Sequence, residues 1–289
     1  MNIAITDAKL FSVVGVDAAS FLQGQLTADV AALNPGEHLI AAHCSIKGSM
    51  VGLFRVMRVS DECFWLRVHH EIAESAFNNL KKYSIFSKAE LSFIEEAKGF
   101  CLTSEYLESV QSSVSETFFS AQMDADHFEF WTTDTEAQNR LSNEASESLE
   151  AWYEINVHAG IFDLRETTQE KFIPQMCNLQ AIDGVSFSKG CYTGQEIVTR
   201  LQHRGILKKA MYAFTLPQGN TISIGDPLFN ADKVEVGTVV MTSTTEQTSL
   251  LAVIQQSERE GPIYTESGEA LTELALPYTL DPRLFESKH

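Results

Sequence analysis

Two neighbouring segments with alternating side chains constrain the fold of this chain more than any other feature. Residues 53–59 alternate between two faces, and a second strand-like segment covers residues 63–68 after a short polar break. This pattern predicts two antiparallel strands joined by a tight turn. Residues 72–80 then repeat apolar side chains at helical spacing. The order strand–strand–helix, with more strand-like segments up to residue 133, favours an α+β module over a mostly antiparallel sheet.

The segments on either side of this module add two helices and a second group of strands. Asp17 can cap a short helix that carries Phe21 and Leu22, and a helix through Trp152 should end near Gly160. From residue 210 the chain changes to short strands and turns, which predict a small antiparallel barrel. The strands expected there are residues 211–216, 221–224, 234–242 and 250–254.

Composition sets limits on compartment and partners. The 289 residues include 44% hydrophobic and 21% charged side chains, which is typical of a soluble globular protein. The formal net charge of −18 disfavours general binding to nucleic acids, because phosphate backbones are repelled. Neither a signal peptide nor a long apolar span is evident, so we expect a cytoplasmic protein without membrane contact. A monomer is the default expectation.

The five cysteines are widely spaced and form no CxxC pair, which argues against a zinc ribbon or a dithiol redox site. One of them, Cys191, lies in a distinctive segment that combines two glycines with charged and polar groups. That segment consists of Lys189, Gly190, Cys191, Tyr192, Thr193, Gly194, Gln195 and Glu196. Glycines permit a tight loop with close backbone approach, and a thiol near cations or a helix start has more thiolate character. Cys191 is therefore a candidate nucleophile, redox group or metal ligand.

A second interpretation of this segment stays open. A turn of this kind also bends a chain around a packed, inert thiol, and the residues alone do not decide between the two. Basic side chains follow the motif closely, and they could contact an anion or a partner or form a solvated helix face. They are Arg200, His203, Arg204, Lys208 and Lys209.

The eight-residue motif resembles the signature of the YgfZ family, the bacterial relatives of a mitochondrial iron–sulfur assembly factor. Two further blocks carry the same resemblance, residues 21–30 (FLQGQLTADV) and residues 41–48 (AAHCSIKG), as does the flank of the motif between residues 172 and 187. The blocks are far apart in the chain and in the order that the family shows. The resemblance therefore covers nearly the whole chain.

This resemblance implies the fold of the tetrahydrofolate-dependent aminomethyltransferases, in which three domains form a ring around a central channel. The implied folate-binding-type domain is discontinuous, with residues 1–47 plus 145–208, and carries the motif. Residues 48–144 are the implied inserted α+β domain of ferredoxin-like type. Residues 209–289 are the implied C-terminal antiparallel β-barrel.

The resemblance also implies a function. Members are linked to the maintenance of iron–sulfur enzymes, including radical-type enzymes that methylthiolate tRNA, and tetrahydrofolate or a derivative is the implied ligand. The family's motif cysteine corresponds to Cys191, and no stably bound metal is implied. The resemblance does not settle whether the protein turns over a substrate. Weak contact with tRNA through Arg200 and Arg204 is a further expectation.

Individual positions can be compared with similar proteins. Trp152 lies where a tryptophan contacts folate, although a core tryptophan is an equal alternative. Ala8 stands where a second aromatic contact is expected, and the neighbouring Lys9 could pair with a folate carboxylate. Val51 and Gly52 stand where the transferases have an Asp pair that assists proton transfer.

Three hypotheses follow. The first is a folate-binding accessory protein for iron–sulfur clusters that acts through Cys191. The second is a folate-dependent aminomethyltransferase or demethylase, which the missing carboxylate at Val51 and Gly52 disfavours. The third is a non-enzymatic folate-binding or RNA-associated module.

Overall fold

The computed structural model describes residues 1–114 and 117–286. Fourteen strands lie within these residues. They are β1 (Asn2–Ile5), β2 (Ala8–Val14), β3 (His38–Cys44), β4 (Met50–Ser60), β5 (Cys63–His69), β6 (Glu90–Phe93), β7 (Lys98–Thr103), β8 (Phe118–Gln122), β9 (His127–Thr132), β10 (Lys209–Thr215), β11 (Pro227–Phe229), β12 (Glu235–Thr244), β13 (Thr248–Gln255) and β14 (Thr272–Leu274).

Six α-helices accompany the strands in the described residues. They are α1 (Ala18–Gln25), α2 (Ala73–Lys81), α3 (Ser104–Gln111), α4 (Thr135–Asn143), α5 (Leu149–Ala159) and α6 (Gln195–Arg204). No helix in this part of the chain is long and apolar enough to cross a membrane.

The strands form three antiparallel sheets. Their orders are β3-β4-β5-β2-β6, β1-β7-β9-β8 and β11-β12-β13-β10-β14. The predicted hairpin at residues 53–68 is confirmed as β4 and β5, and the predicted helix that follows is α2. The helix α5 packs against β1 and against β12, so it joins the second sheet to the third. It ends before Gly160, whose φ of 65° closes the helix as predicted.

The N-terminal strands contribute to two sheets, which the sequence pattern did not indicate. β1 pairs with β7, whereas β2 pairs with β5 and β6. β4 also pairs with β3 across the predicted boundary at residue 48, so the boundaries 1–47 plus 145–208 and 48–144 do not coincide with the sheets. Strand pairing is a long-range choice that local periodicity does not encode. The division into three domains stays a prediction.

The C-terminal region has the predicted antiparallel strands, with one correction. Residues 221–224 do not form a strand, because Asp226 turns the chain there: its side chain accepts from Ser223 N at 2.8 Å and its own N–H donates to Ser223 O at 3.1 Å. The strand begins instead at Pro227. The sheet has an open order among the described residues, and closure into a barrel stays a prediction.

The largest apolar core lies around the first sheet. It receives Phe21 and Leu22 from α1, Phe77 and Leu80 from α2, and Tyr192 from the motif. A second core surrounds Trp131 and Trp152, between the second sheet and α5. The motif loop is therefore built onto the first core, and Trp152 belongs to the second.

Candidate functional site

The motif loop exposes its cysteine and buries its tyrosine. Cys191 is exposed, whereas the adjacent Tyr192 is 6% exposed and packs into the main core. Gly190 precedes Cys191, and the space where its side chain would lie is open. The loop therefore turns a thiol towards solvent while a buried aromatic ring fixes its position.

The first of the distant blocks, residues 21–30, holds this loop through hydrogen bonds. Thr193 donates through its backbone N–H to Gly24 O at 3.3 Å, and its hydroxyl donates to Gln25 Oε1 at 3.1 Å. The Lys189 ammonium group donates to Leu26 O at 2.7 Å and to Ala28 O at 2.8 Å. Lys189 and Thr193, which flank Cys191, are thus both hydrogen-bonded to the end of α1 and the residues just after it.

The second block, residues 41–48, holds the other end of the motif. Gly194 has a φ of 84°, and a Cβ atom there would lie 2.6 Å from Ser45 O and 2.8 Å from the Cβ of Cys44. Across the same contact, a Cβ atom on Gly48 would lie 2.9 Å from the Cβ of Ile197. Only glycine fits these positions without moving backbone. The three blocks that carry the family resemblance therefore meet in one place.

Lys189 stabilises the loop and is not a free cation. Its ammonium group lies 5.1 Å from the centre of the Tyr192 ring in addition to its two carbonyl contacts. Burial lowers the pKa of Lys189 to about 8, and the charge of Asp29 opposes this shift. The sequence pattern had placed Lys189 among the cations that activate the thiol, but its charge is directed at backbone carbonyls.

The remaining motif residues begin α6. Gln195 Nε2 reaches Gly190 O at 3.5 Å, and Glu196 forms an ion pair of 2.5 Å with Arg200 one helical turn later. Both partners of that pair are mostly exposed, so it contributes little to stability. Arg204 is exposed in the last turn of α6.

The other four cysteines are less accessible than Cys191. Cys44, Cys101 and Cys177 are buried, and Cys63 is half-buried. Burial raises the pKa of Cys44 and of Cys101 to about 12 and raises that of Cys177 well above its ordinary value. These thiols stay protonated at neutral pH. Reactivity towards a large partner or reagent is thus concentrated at Cys191.

A second feature, which the sequence did not reveal as a unit, is a buried cluster of ion pairs. Arg55 and Arg67 lie directly opposite each other on β4 and β5. Opposed like charges are unfavourable, and Glu129 of β9 lies between them, at 2.7 Å from Arg55 Nε and 3.5 Å from Arg67 Nε. Asp163 completes the cluster, with Oδ2 at 2.8 Å from Arg67 Nη2. All four side chains are at least nine-tenths buried.

Asp7 extends this cluster in the connection between β1 and β2. Its Oδ2 accepts from the hydroxyl of Tyr153 at 2.7 Å and lies 3.2 Å from His69 Nε2 and 3.7 Å from Arg165 Nη2. Burial raises the pKa of Asp7, but the hydrogen bond with His69 and the positive charge of Arg67 outweigh it and hold the pKa well below its usual range. Asp7 Oδ1 is buried and has no partner among the described residues.

Trp152 lies against this cluster, and Lys9 does not. Trp152 is fully buried, Arg67 lies 5.9 Å from its ring centre, and its indole N–H has no hydrogen-bond partner in the described residues. Lys9 is partly exposed on β2, where it lies 3.7 Å from Glu74 and over the ring of Phe93. The structure thus separates the two positions named for folate contact. A role of either residue in binding stays a prediction.

No member of this cluster was predicted from the sequence. A signal for two of them was present, because Arg55 lies between Leu53 and Met57 on one face of β4 and Arg67 lies next to Trp65 on one face of β5. Asp7 and Glu129 carried no such signal, since Asp7 lies between two strands and Glu129 shares its face of β9 with His127 and Trp131. No group of three or more His, Cys, Asp or Glu side chains suited to a metal ion occurs in residues 1–114 and 117–286.

Comparison with known proteins shows a relative in sequence and a match in fold. No family model matches the chain. A protein of Haemophilus influenzae, described only as uncharacterized, is 32% identical over 285 residues, which span 96% of this chain and 98% of that protein. The chain belongs to the same family as this Haemophilus protein. Membership alone names no activity, because the relative has none assigned.

Solved structures show the fold of this family member. It is similar to the glycine cleavage system aminomethyltransferase T from Bartonella henselae, with a TM-score of 0.72, 17% identity, and coverage of 96% of this chain and 85% of that one. The predicted aminomethyltransferase-like fold is therefore confirmed. A heterotetrameric sarcosine oxidase from Corynebacterium sp. U-96 overlaps over 51% of this chain with a TM-score of 0.32, which is too low to bear on the fold.

Proposed function

We propose that this protein is a folate-binding accessory protein that supports the assembly or repair of iron–sulfur clusters and thereby the methylthiolation of tRNA, with Cys191 as its reactive residue. One observation carries the proposal. A single motif loop, fixed by contacts from two distant parts of the chain, presents an exposed thiol, while three of the other four cysteines are buried. The family resemblance of the same loop supplies the biological context.

The chemistry of Cys191 fits an accessory role. A thiolate can engage iron of a cluster, a sulfur species or the cysteine of a partner. A single cysteine cannot complete the ligand set of a cluster, so the partner or the substrate supplies the remaining ligands. Iron and sulfur are therefore cargo of the partner in this proposal. The loop's fixed geometry reduces the entropy lost when the thiol meets that partner.

Two buried polar atoms that have no partner among the described residues support a folate ligand in this proposal. The pterin ring of folate carries both N–H donors and oxygen and nitrogen acceptors. Asp7 Oδ1 is a buried acceptor without a partner, and Trp152 Nε1–H is a buried donor without a partner, each within the described residues. Buried polar atoms of this kind are costly unless a ligand or water satisfies them. Trp152 and Asp7 would hold the ring. Bound folate would act either as a one-carbon carrier or only as a ligand.

Aminomethyl transfer receives less support. Val51 and Gly52 occupy β4 and supply no carboxylate, and the buried Glu129 and Asp163 are ion-paired with arginines. A role centred on RNA also receives less support, because Glu196 neutralises Arg200 in the basic segment.

A test in cells separates the role of Cys191 from that of cysteines in general. A host without its own copy is complemented with wild type, Cys191→Ser or Cys63→Ser, and methylthiolated adenosine is measured in tRNA hydrolysates by mass spectrometry. We expect wild-type levels with Cys63→Ser and strongly reduced levels with Cys191→Ser at equal protein amounts. Full activity of Cys191→Ser would refute the proposed role of the thiol.

A further inference from the structure

The loop between α2 and β6 displays large apolar side chains to solvent. Phe86 is 100% exposed, Ile85 is 75% exposed and Tyr83 is 48% exposed. Scattered exposed apolar residues are ordinary, whereas exposed apolar residues that cluster are typical of interaction sites. These side chains belong to residues 81–88, the 81–88 loop.

The 81–88 loop is held in place at both ends. At its start, Ser84 donates through its backbone N–H to Lys81 O at 3.1 Å. At its end, Lys88 donates through its N–H to Asp17 Oδ2 at 2.8 Å, and Asp17 donates back to Lys88 O at 3.4 Å. Ser87 adds a further bond to Ser84 O at 2.9 Å. Phe86 is therefore presented on a preorganised turn, which lowers the entropic cost of binding.

Contacts link this loop to the structure that carries Cys191. The ring of Tyr83 lies edge-on to the ring of His43 with centroids 5.8 Å apart. The next residue, Cys44, packs against Gly194 of the motif. Beyond it, the turn that packs on Ile197 carries Ile46, which is 81% exposed. Exposed apolar groups thus stand on the turn at residues 45–48, which contacts the motif, and on the 81–88 loop, which is linked to it through His43 and Cys44 of β3.

The charge of this surface is opposite to that of the protein. The 81–88 loop contains Lys81, Lys82 and Lys88 and no acidic residue, and Lys47 follows Ile46, whereas the whole chain has a net charge of −18. Lys82 donates to the neutral amide of Asn79 at 2.6 Å. In the residues that the structure describes, no carboxylate lies within ion-pairing distance of these four lysines. The surface is apolar at its centre and cationic at its edge.

We propose that the 81–88 loop and the turn at residues 45–48 form a docking surface for a partner protein that presents an apolar pocket rimmed by carboxylates. The lysines at the edge of this docking surface attract carboxylates on a partner. Because the rest of this acidic protein repels acidic surfaces at long range, such a partner is directed to this surface. The net charge of −18 over the whole chain repels a long phosphate backbone, which favours a protein over RNA. The inference rests on the proposed accessory function, since it describes how a client reaches Cys191.

Site-specific crosslinking in cells tests this surface in the full-length protein. The variant Phe86→p-benzoylphenylalanine is irradiated, and the crosslinked protein and its crosslinked peptide are identified by mass spectrometry. We expect one adduct whose peptide carries acidic side chains next to apolar ones. Adding Lys82→Glu and Lys88→Glu should lower its yield at least about tenfold, because two charge reversals act on a complementary rim.

Matched controls define what overturns the inference. Lys98→Glu with Lys233→Glu makes the same charge change at two exposed lysines, one on β7 and one in the turn between β11 and β12, and should leave the yield unchanged. Reversing the partner's acidic residues should restore the adduct to the variant with Lys82→Glu and Lys88→Glu. An adduct that ribonuclease destroys, an adduct between two copies of this chain, an adduct insensitive to charge reversal, or no adduct would each refute the inference.

Failure of this test is distinguishable from failure of the proposed function. Cys191→Ser should keep the crosslink at position 86 while losing methylthiolated tRNA, because docking does not need the thiol. If no adduct forms but Cys191→Ser still abolishes tRNA modification, the docking surface is wrong and the role of Cys191 stands.

Discussion

Replacing Lys189 with methionine removes the ammonium group that anchors the loop of Cys191 and keeps an apolar side chain of similar length. The native ammonium donates to Leu26 O at 2.7 Å and Ala28 O at 2.8 Å, and both of these residues are fully buried. Hydrogen bonds from a charged donor contribute about 1.5–3 kcal/mol each. The substitution also removes the cost of burying the charge, which offsets roughly half of that loss. We therefore expect the free energy of unfolding to fall by about 2 kcal/mol.

The assay is urea denaturation of both proteins at pH 7, combined with hydrogen–deuterium exchange of residues 189–194. Loss of the anchor should speed amide exchange in this segment. The loop is then held less firmly against residues 24–28, so bonds such as that from Thr193 N–H to Gly24 O open more often. Lys208→Met is the matched control, since Lys208 is exposed and the same change there should alter stability by less than about 0.5 kcal/mol. If Lys189→Met behaves like Lys208→Met in both measurements, the anchoring role of Lys189 is refuted.

Three further outcomes follow from buried groups. Burial, aided by the charge of Lys82, lowers the pKa of His43 from 6.5 to about 4, so the unfolded chain gains a proton before the folded one and stability falls as pH decreases from 6.5 to 4. In urea titrations, the free energy of unfolding should decrease between pH 7 and pH 4.5 by about 2 kcal/mol less in His43→Leu than in the wild type; an equal decrease in both would contradict this. A thiol reagent should label Cys191 before the three buried cysteines in peptide maps of the native protein; earlier labelling of a buried one would count against the site. Trp131→Phe should cost about 1–2 kcal/mol more stability in urea denaturation than Trp152→Phe, because only Trp131 donates to a protein group, Glu129 Oε1 at 2.6 Å; equal losses would oppose this.

The elements were predictable where the signal was local. Alternation identified β4 and β5, apolar spacing identified α2, and Gly160 marked the end of α5. The pairing of β1 with the second sheet and of β2 with the first was not predictable. These two short strands, separated by Thr6 and Asp7, have similar apolar patterns, and the pattern does not tell which sheet each joins. The false strand at residues 221–224 arose because Asp226 turns the chain through its side chain, which strand propensity does not register.

The candidate site shows the same division. The motif, its cysteine and its two supporting blocks could be found in the sequence, and the structure brings them together. The part played by Lys189 could not, because the carbonyls that it contacts lie more than 160 residues earlier in the chain. The buried cluster around Arg67 was equally hidden, since Asp7, Glu129 and Asp163 come from three separate segments. Such long-range polar contacts are specified by the fold and not by local pattern.

Calorimetric titration with a stable reduced folate, 5-formyltetrahydrofolate, tests the folate-binding claim most directly. Wild type should bind it at a single site, and Trp152→Phe should bind at least about tenfold more weakly, because the variant keeps a ring but lacks the buried N–H donor. Trp131→Phe should bind like wild type, since its indole already donates to Glu129. Absence of binding by the wild-type protein would contradict the account.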